Sequence, residues 1–317
     1  MSLERENDRT LTDVATDRVR RVYVILNPVA GGCAPADVRE ALRRHFPGGE
    51  TCCEIHATTQ DDCIAELVDA ARRRGFDLVV AAGGDGSVAA VADSLVGAEA
   101  ALGILPIGTA NVMARDLGVP LDLDGACGLL AGPHAIKRLD AMRVGDRYFL
   151  TQIGIGIDAL MIRDTKREHK RRFGRIAYLW TAFTRLLGFQ PRRFFLEADG
   201  RRTRHRASQV LVANVGLLGQ PPLRWGPGIH PDDGRLDVCV VRARTLLDYL
   251  RLLWRALLGQ HHRDPHVRYL TVAKKVAIAT KHPLPVQADG EIIGETPLEI
   301  QVVPRAVRVV VPAGPSV

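Results

Sequence analysis

The residues that could do chemistry gather where apolar runs stop. Leu78-Val79-Val80-Ala81-Ala82 ends on Gly83-Gly84-Asp85-Gly86-Ser87, and Val88 to Leu95 then reads as a helix. Backbone N–H groups in such a glycine turn can face an anion with no side chain in the way, so the stretch reads as a phosphate site. The bland alternative is a tight turn whose Asp85 caps the next helix. Leu105-Pro106-Ile107-Gly108-Thr109-Ala110-Asn111 also closes an apolar strand and opens a helix, offering a hydroxyl and an amide. Asn27-Pro28-Val29-Ala30-Gly31-Gly32 does the same after Val22–Leu26. Three such turns on neighbouring strand ends point to one phosphate-binding surface.

Phosphoryl transfer asks a protein chiefly for positioning and charge neutralisation: amides around the phosphates, a carboxylate-held Mg²⁺ and an acid beside the acceptor hydroxyl. Asp289-Gly290-Glu291 supplies a candidate for that last role, because a carboxylate within hydrogen-bond reach can serve as the base. Read alone, the triplet is better taken as an Asp-Gly hairpin turn; beside the other turns the chemical reading prevails.

The elements that must position these groups follow from the hydrophobic pattern. Short β-rich runs at Val22–Asn27, Cys52–Ala57, Phe76–Ala82 and Ala101–Leu105 alternate with helical stretches at Ala36–Phe46 and Asp61–Arg73. That order predicts a parallel sheet with crossover helices and a ligand beyond the carboxyl ends of its strands. After about residue 140 strands follow one another: Ile136–Val144, Tyr148–Ile155, Arg193–Ala198, Gln209–Val215, Leu236–Val241, Leu270–Thr280 and Leu298–Val303. These predict a mainly antiparallel second domain, interrupted by helices at Asp164–Leu187 and Leu246–Leu258. The expected division is a polar tail (1–20), an α/β nucleotide-binding domain (21–140) to which a last strand at 306–312 could return, and a β-rich substrate domain (141–305).

The chain has 317 residues, 46% hydrophobic and 25% charged, which suits an ordinary globular protein of about two domains. Its six cysteines show no C-x-x-C pair, so reduced thiols and a cytoplasmic setting are expected, with no thiolate metal site. Residues 1–20 lack the apolar core of a signal peptide, and no apolar window is long enough to span a bilayer. A net charge of +7 fits an anionic partner, or simply an arginine-rich surface. Basic charge is not interleaved with aromatics, so a nucleic-acid partner is not expected. Seven Lys/Arg between Arg163 and Arg175, followed by Ile176-Ala177-Tyr178-Leu179-Trp180, would suit an anionic lipid surface or a solvated charged face. His261, His262 and His266 read as an exposed loop rather than a metal site.

Taken together, Asn-Pro-x-x-Gly-Gly, Gly-Gly-Asp-Gly, Leu-Pro-x-Gly-Thr-Ala-Asn and Val286-Gln287-Ala288-Asp289-Gly290-Glu291 resemble the diacylglycerol kinase catalytic-domain family, especially its bacterial soluble lipid kinases. The resemblance runs from about Val22 to Pro312. It implies a Rossmann-like α/β domain of the NAD kinase and diacylglycerol kinase kind, joined to an antiparallel β-sandwich. It also implies an ATP- and Mg²⁺-dependent transfer of the γ-phosphate to a primary hydroxyl of a lipid such as diacylglycerol. By the same resemblance Gly83, Gly84, Asp85, Gly86 and Ser87 would hold the ATP phosphates, with Asp85 at the catalytic Mg²⁺. Asn27, Thr58 (or Thr59), Gly108, Thr109 and Asn111 would touch the nucleotide, and Glu291 would be the general base. A structural Mg²⁺ would sit on the Asp233 carboxylate and the main-chain carbonyls of His230 and Arg235. Asp158 would face the active cleft, and Lys170 or Arg171 would reach phosphates. Peripheral contact with an anionic membrane at the inner face of the cell, and a homodimer, complete what is implied.

One position departs from the pattern: the family often has an acid after the Asn of the Gly-Thr-x-Asn turn, and here it is Val112. Asp116, one helical turn on, could replace it. Two other readings stand beside the first. An NAD kinase-like small-molecule kinase shares Gly-Gly-Asp-Gly but is not expected to carry both the Gly-Thr-Ala-Asn turn and Asp-Gly-Glu. A catalytically weak nucleotide- or lipid-binding regulator has Val112 as its support.

Overall fold

The computed structural model describes residues 13–15, 21–31, 33–48, 52–164, 191–219, 223–226 and 228–313. In the first half, β1 (Asp13–Ala15) and β2 (Val22–Leu26) precede α1 (Pro35–His45), β3 (Cys53–Ala57), α2 (Ile64–Arg73), β4 (Leu78–Gly83), α3 (Asp85–Ser94) and β5 (Ala101–Pro106). Strands β3, β2, β4 and β5 lie side by side and parallel in that order. Every residue of β2, β4 and β5 is buried, which is why these strands are unbroken apolar runs rather than alternating ones. Tyr23, Ile25, Val79 and Ala81 point into one core and Val22, Val24, Leu78 and Val80 into another, one on each face of the sheet. The parallel register brings Leu26 level with Ala57 and with Ala82, and Gly83 level with Pro106. The turns after these strands therefore emerge along one edge.

Next come α4 (Val112–Asp116), α5 (Leu123–Ala131), β6 (His134–Val144), β7 (Arg147–Phe149), β8 (Gln152–Gly156) and α6 (Ile157–Asp164). The remainder is β9 (Arg192–Ala198), β10 (Arg201–Ala207), β11 (Gln209–Ala213), β12 (Leu236–Val241), α7 (Leu246–Leu257), β13 (Val267–Val272), β14 (Lys275–Thr280), β15 (Pro285–Ala288), β16 (Glu291–Glu295) and β17 (Leu298–Val311). Strands β13-β12-β11-β8-β15-β16 form an antiparallel sheet in that order. Its inner face, with Ile153, Ile155, Val210 and Val238, packs on Phe194, Leu196, Val276 and Ile300 of β9, β14 and β17. The architecture is the expected one: an α/β half and an antiparallel sandwich half.

The two halves share one sheet, because β17 crosses between them. It pairs antiparallel with β14 and β6, then places Val309 parallel to Leu102 of β5. The pairing with β6 shifts register between Val303 and Val307. There Arg305 takes a positive φ of 54° and its N–H donates to Asp140 Oδ1 at 2.8 Å. Asp140 is completely buried, and its Oδ2 accepts the Gly234 N–H at 2.6 Å.

Several sequence boundaries shift for physical reasons. Leu270–Thr280 is two strands in different sheets, broken where Asp199 accepts the N–H groups of Ala273, Lys274 and Lys275. Tyr148–Ile155 likewise divides into β7 and β8, whereas the runs at Leu298–Val303 and Arg308–Val311 are one bulged strand. Strand β10, Arg-Arg-Thr-Arg-His-Arg-Ala, carries no apolar alternation; it is an edge strand whose outward arginines discourage further pairing. Beyond α6, the helix expected to Leu187 and its basic run, Lys170 and Arg171 included, lie outside the described residues.

Candidate active site

The three Gly-rich turns meet backbone to backbone. A Cβ on Gly108 would lie 2.3 Å from the Gly84 Cα, and one on Gly31 would lie 1.4 Å from the Ile107 carbonyl oxygen. Gly31 also holds a φ of 67°, so only glycine fits there. A Cβ on Gly83 would meet Ser87 Oγ at 2.3 Å. These glycines serve the close approach of loops. Gly86 is different: a Cβ on it would meet nothing within 4 Å, although it sits in the first turn of α3 where glycine is a poor helix former.

Between the turns lies a cleft of about 450 Å³, lined among others by Asn27, Thr58, Gly86, Ser87, Thr109 and Glu291. Gly84 and Gly108 also line it. Residues from four strand ends of the α/β half and one residue of the sandwich half are thus gathered around a single space. Thr58 faces it, its Oγ1 donating to the Leu26 carbonyl at 3.3 Å. Thr59 instead gives both its N–H and its hydroxyl to Asp62 Oδ2, at 2.7 and 3.1 Å. Asn27 Nδ2 donates to Ser87 Oγ at 3.3 Å, tying the first turn to the second.

Asn111, expected at the nucleotide, has its side chain occupied inside its own turn. Its Oδ1 accepts from the Gly108 N–H at 3.0 Å, and its Nδ2 donates to the carbonyls of Pro106 and Gly108 at 3.0 and 2.9 Å. It is buried and sits at φ 51°, the left-handed conformation in which asparagine substitutes for glycine. Its part in the cleft is to shape the loop that carries Thr109.

Asp85 does not cap its own helix. Its Oδ1 accepts the Val112 N–H at 2.6 Å, so the carboxylate ties the start of α3 to the start of α4. Val112 turns its side chain toward the apolar core instead of supplying an acid. Asp116 does not replace that acid in the cleft: its side chain is 4% exposed and pairs with Arg224 at 3.0 Å.

The Asp-Gly-Glu triplet forms the turn between β15 and β16, with Asp289 and Gly290 at positive φ. Glu291 opens β16, exposed, its carboxylate 4.0 Å from Arg147. Behind it, Gln287 accepts the Gly290 N–H on Oε1 at 3.2 Å and donates from Nε2 to Asp158 Oδ2 at 3.1 Å. A Cβ on Gly154 would fall 1.7 Å from Asp158 Oδ2, so the glycine makes room for this bridge. Burial pushes the Asp158 carboxyl up to about 6, against hydrogen bonds from Gln287 and the Ala159 N–H. Neither Gln287 nor Asp289 was assigned a role from the sequence, although both lie in the quoted motif; a hairpin-turn reading hides them.

A divalent cation suits the acids here. Asp289 accepts from the Thr151 hydroxyl on Oδ1, while its Oδ2 is buried with no hydrogen-bond donor. Burial, and then the negative charge of Asp85, raise its carboxyl above the usual range. Two neighbouring carboxylates with a donor-free buried oxygen are what a hard cation neutralises. The oxygen set expected for a second cation, the Asp233 carboxylate and the His230 and Arg235 carbonyls, is also of the hard-cation type. Burial raises the carboxyls of Asp233, Asp237 and Asp140 around that loop, and Asp233 Oδ1 accepts the Arg235 N–H at 3.0 Å.

Comparison with known proteins bears on the same regions. Residues 21–144 match the family model described as the diacylglycerol kinase catalytic domain, and residues 151–311 match the YegS C-terminal NAD kinase beta sandwich-like domain. The chain belongs to the diacylglycerol kinase catalytic-domain family. It is 30% identical over 283 residues to a probable lipid kinase YegS-like of Pseudomonas aeruginosa strain UCBPP-PA14, covering 88% of this chain and 90% of that one. It is 29% identical over 310 residues to a diacylglycerol kinase of Bacillus subtilis, covering 93% and 97%. The crystal structure of a diacylglycerol kinase from Bacillus anthracis superposes with a TM-score of 0.70 at 21% identity, over 93% of this chain and 97% of that one, and shows the shared fold. Family membership makes the chain a kinase of the lipid kinase class. No helix among the described residues is long and apolar enough to cross a membrane.

Proposed function

We propose that this kinase transfers the γ-phosphate of ATP to a hydroxyl of a membrane lipid of the diacylglycerol type. The observation that carries the reading is the cleft in which three strand-end turns and Glu291 line one space. The amides after Gly84 and Gly108 and the hydroxyls of Ser87, Thr58 and Thr109 would hold the nucleotide. Gly86 leaves room for a phosphate to approach the start of α3. Asp85 and Asp289 would hold Mg²⁺, whose chemistry when bound is to neutralise phosphate charge. Glu291 would take the proton of the lipid hydroxyl as its oxygen bonds to the γ-phosphorus and the bond to ADP breaks. The loop at His230, Asp233 and Arg235 would bind a second, structural cation. The names carried by the Bacillus subtilis and Pseudomonas aeruginosa relatives support the substrate class.

The test is incubation with γ-labelled ATP and Mg²⁺, with diacylglycerol-containing vesicles or NAD as acceptor. Labelled phosphatidic acid that disappears in both Asp85→Asn and Glu291→Gln is the expected result. Label in NADP, or nucleotide binding without transfer to any lipid, overturns the reading.

A further inference from the structure

Helix α7 is built inside out. Its charged side is anchored to the body: Arg251 and Arg255 both reach Asp264 Oδ2, at 3.3 and 3.1 Å, and Asp264 is 2% exposed. His266 donates its N–H to the other oxygen of Asp264 at 2.9 Å. Asp248 completes a capping box with Thr245 and lies 3.7 Å from His266. The opposite side presents Leu247, Leu250, Leu253, Trp254, Leu257 and Leu258, each between 45% and 76% exposed. These positions recur at helical spacing and form one continuous stripe. A surface helix normally buries that stripe, and contiguous exposed apolar patches mark an interaction site.

We infer that α7 is a membrane-docking helix whose leucine stripe inserts into the interfacial layer of an anionic bilayer. Charge selects that occupant. Residues 242–268 contain six arginines and two aspartates, and both aspartates are turned toward the protein. Arg244 is exposed just before the helix, and Arg251 remains half exposed while paired. A leucine face with a tryptophan, bordered by arginines, is the composition that lies in the plane of a lipid interface. At 12 residues the helix is too short to span a bilayer, so it rests on one leaflet. The inference goes beyond the catalytic reading and does not depend on it: the contact is with the bilayer itself, and no residue of α7 is among those that line the nucleotide cleft.

The experiment is sedimentation of the full chain with vesicles of phosphatidylcholine alone or with about one third phosphatidylglycerol, without nucleotide, at low and high salt. Parent protein should prefer the anionic vesicles and lose affinity with salt. The triple variant Leu250→Gln, Leu253→Gln and Leu257→Gln alters only exposed side chains; it should keep the parent's melting temperature and bind anionic vesicles at least ~10-fold more weakly. Trp254 emission should shift to the blue on vesicles, and that part of the shift should vanish in Trp254→Phe. Unchanged vesicle binding by the triple variant overturns the inference, and so does a parent dimer that the variant converts to monomer with vesicle binding intact, which would assign the stripe to a second copy of the chain.

Discussion

Gln287 donates its amide to Asp158 at 3.1 Å and accepts the Gly290 N–H at 3.2 Å, so one buried side chain fixes the turn that presents Glu291. Gln287→Ala removes both bonds without touching the nucleotide turns. The expected result is a kcat lower by roughly 10- to 100-fold, with KM for ATP within about 2-fold, because a small misplacement of a reacting group carries such a cost. Steady-state kinetics checks it; an unchanged kcat would show that the turn holds its shape without the bridge.

The same Asp158 makes stability depend on pH in a defined direction. Its folded-state value of about 6 lies above the ordinary 3.8, with burial as the main cause. The folded protein therefore keeps this proton longer than the unfolded chain does. Stability from this group is greatest below the ordinary value and falls as pH rises to about 6. Asp158→Asn cannot ionise, so between pH 4 and pH 7.5 the stability difference should move in favour of the variant by at most about 3 kcal/mol. Urea titrations at several pH values measure this.

The cleft glycines should divide into two groups. Gly108→Ala and Gly31→Ala force a Cβ into facing backbone and should lower stability by about 1–3 kcal/mol. Gly86→Ala meets open space and improves helix propensity, so its melting temperature should hold or rise. It should nevertheless weaken ATP binding more than ~10-fold if the phosphates approach α3 at that point. Thermal denaturation paired with nucleotide titration separates the groups.

Arg224→Ala leaves the carboxylate of Asp116 buried and unpaired, and should cost about 1–3 kcal/mol. Adding Asp116→Asn to that variant removes the stranded charge and should recover most of the loss. Denaturant unfolding of the two variants decides it, since a merely surface pair would give near-zero change in both.

Much of this protein was legible in the chain itself. Continuous burial forces β2, β4 and β5 to be unbroken apolar runs, and a glycine turn must follow each strand end where loops pack backbone to backbone, so Asn27–Gly32, Gly83–Gly86 and Pro106–Asn111 declare the cleft locally. Strand β10 stayed hidden because an edge strand shows solvent its charged residues, and the break inside Leu270–Thr280 depends on Asp199, more than 70 residues away in the chain. The roles of Val112, Gln287 and Asp116 were set by contacts with residues distant in the chain. An amide or a carboxylate can bind a ligand, cap a turn or neutralise a partner with the same atoms; which it does depends on the group that folding brings within 3 Å or so of it.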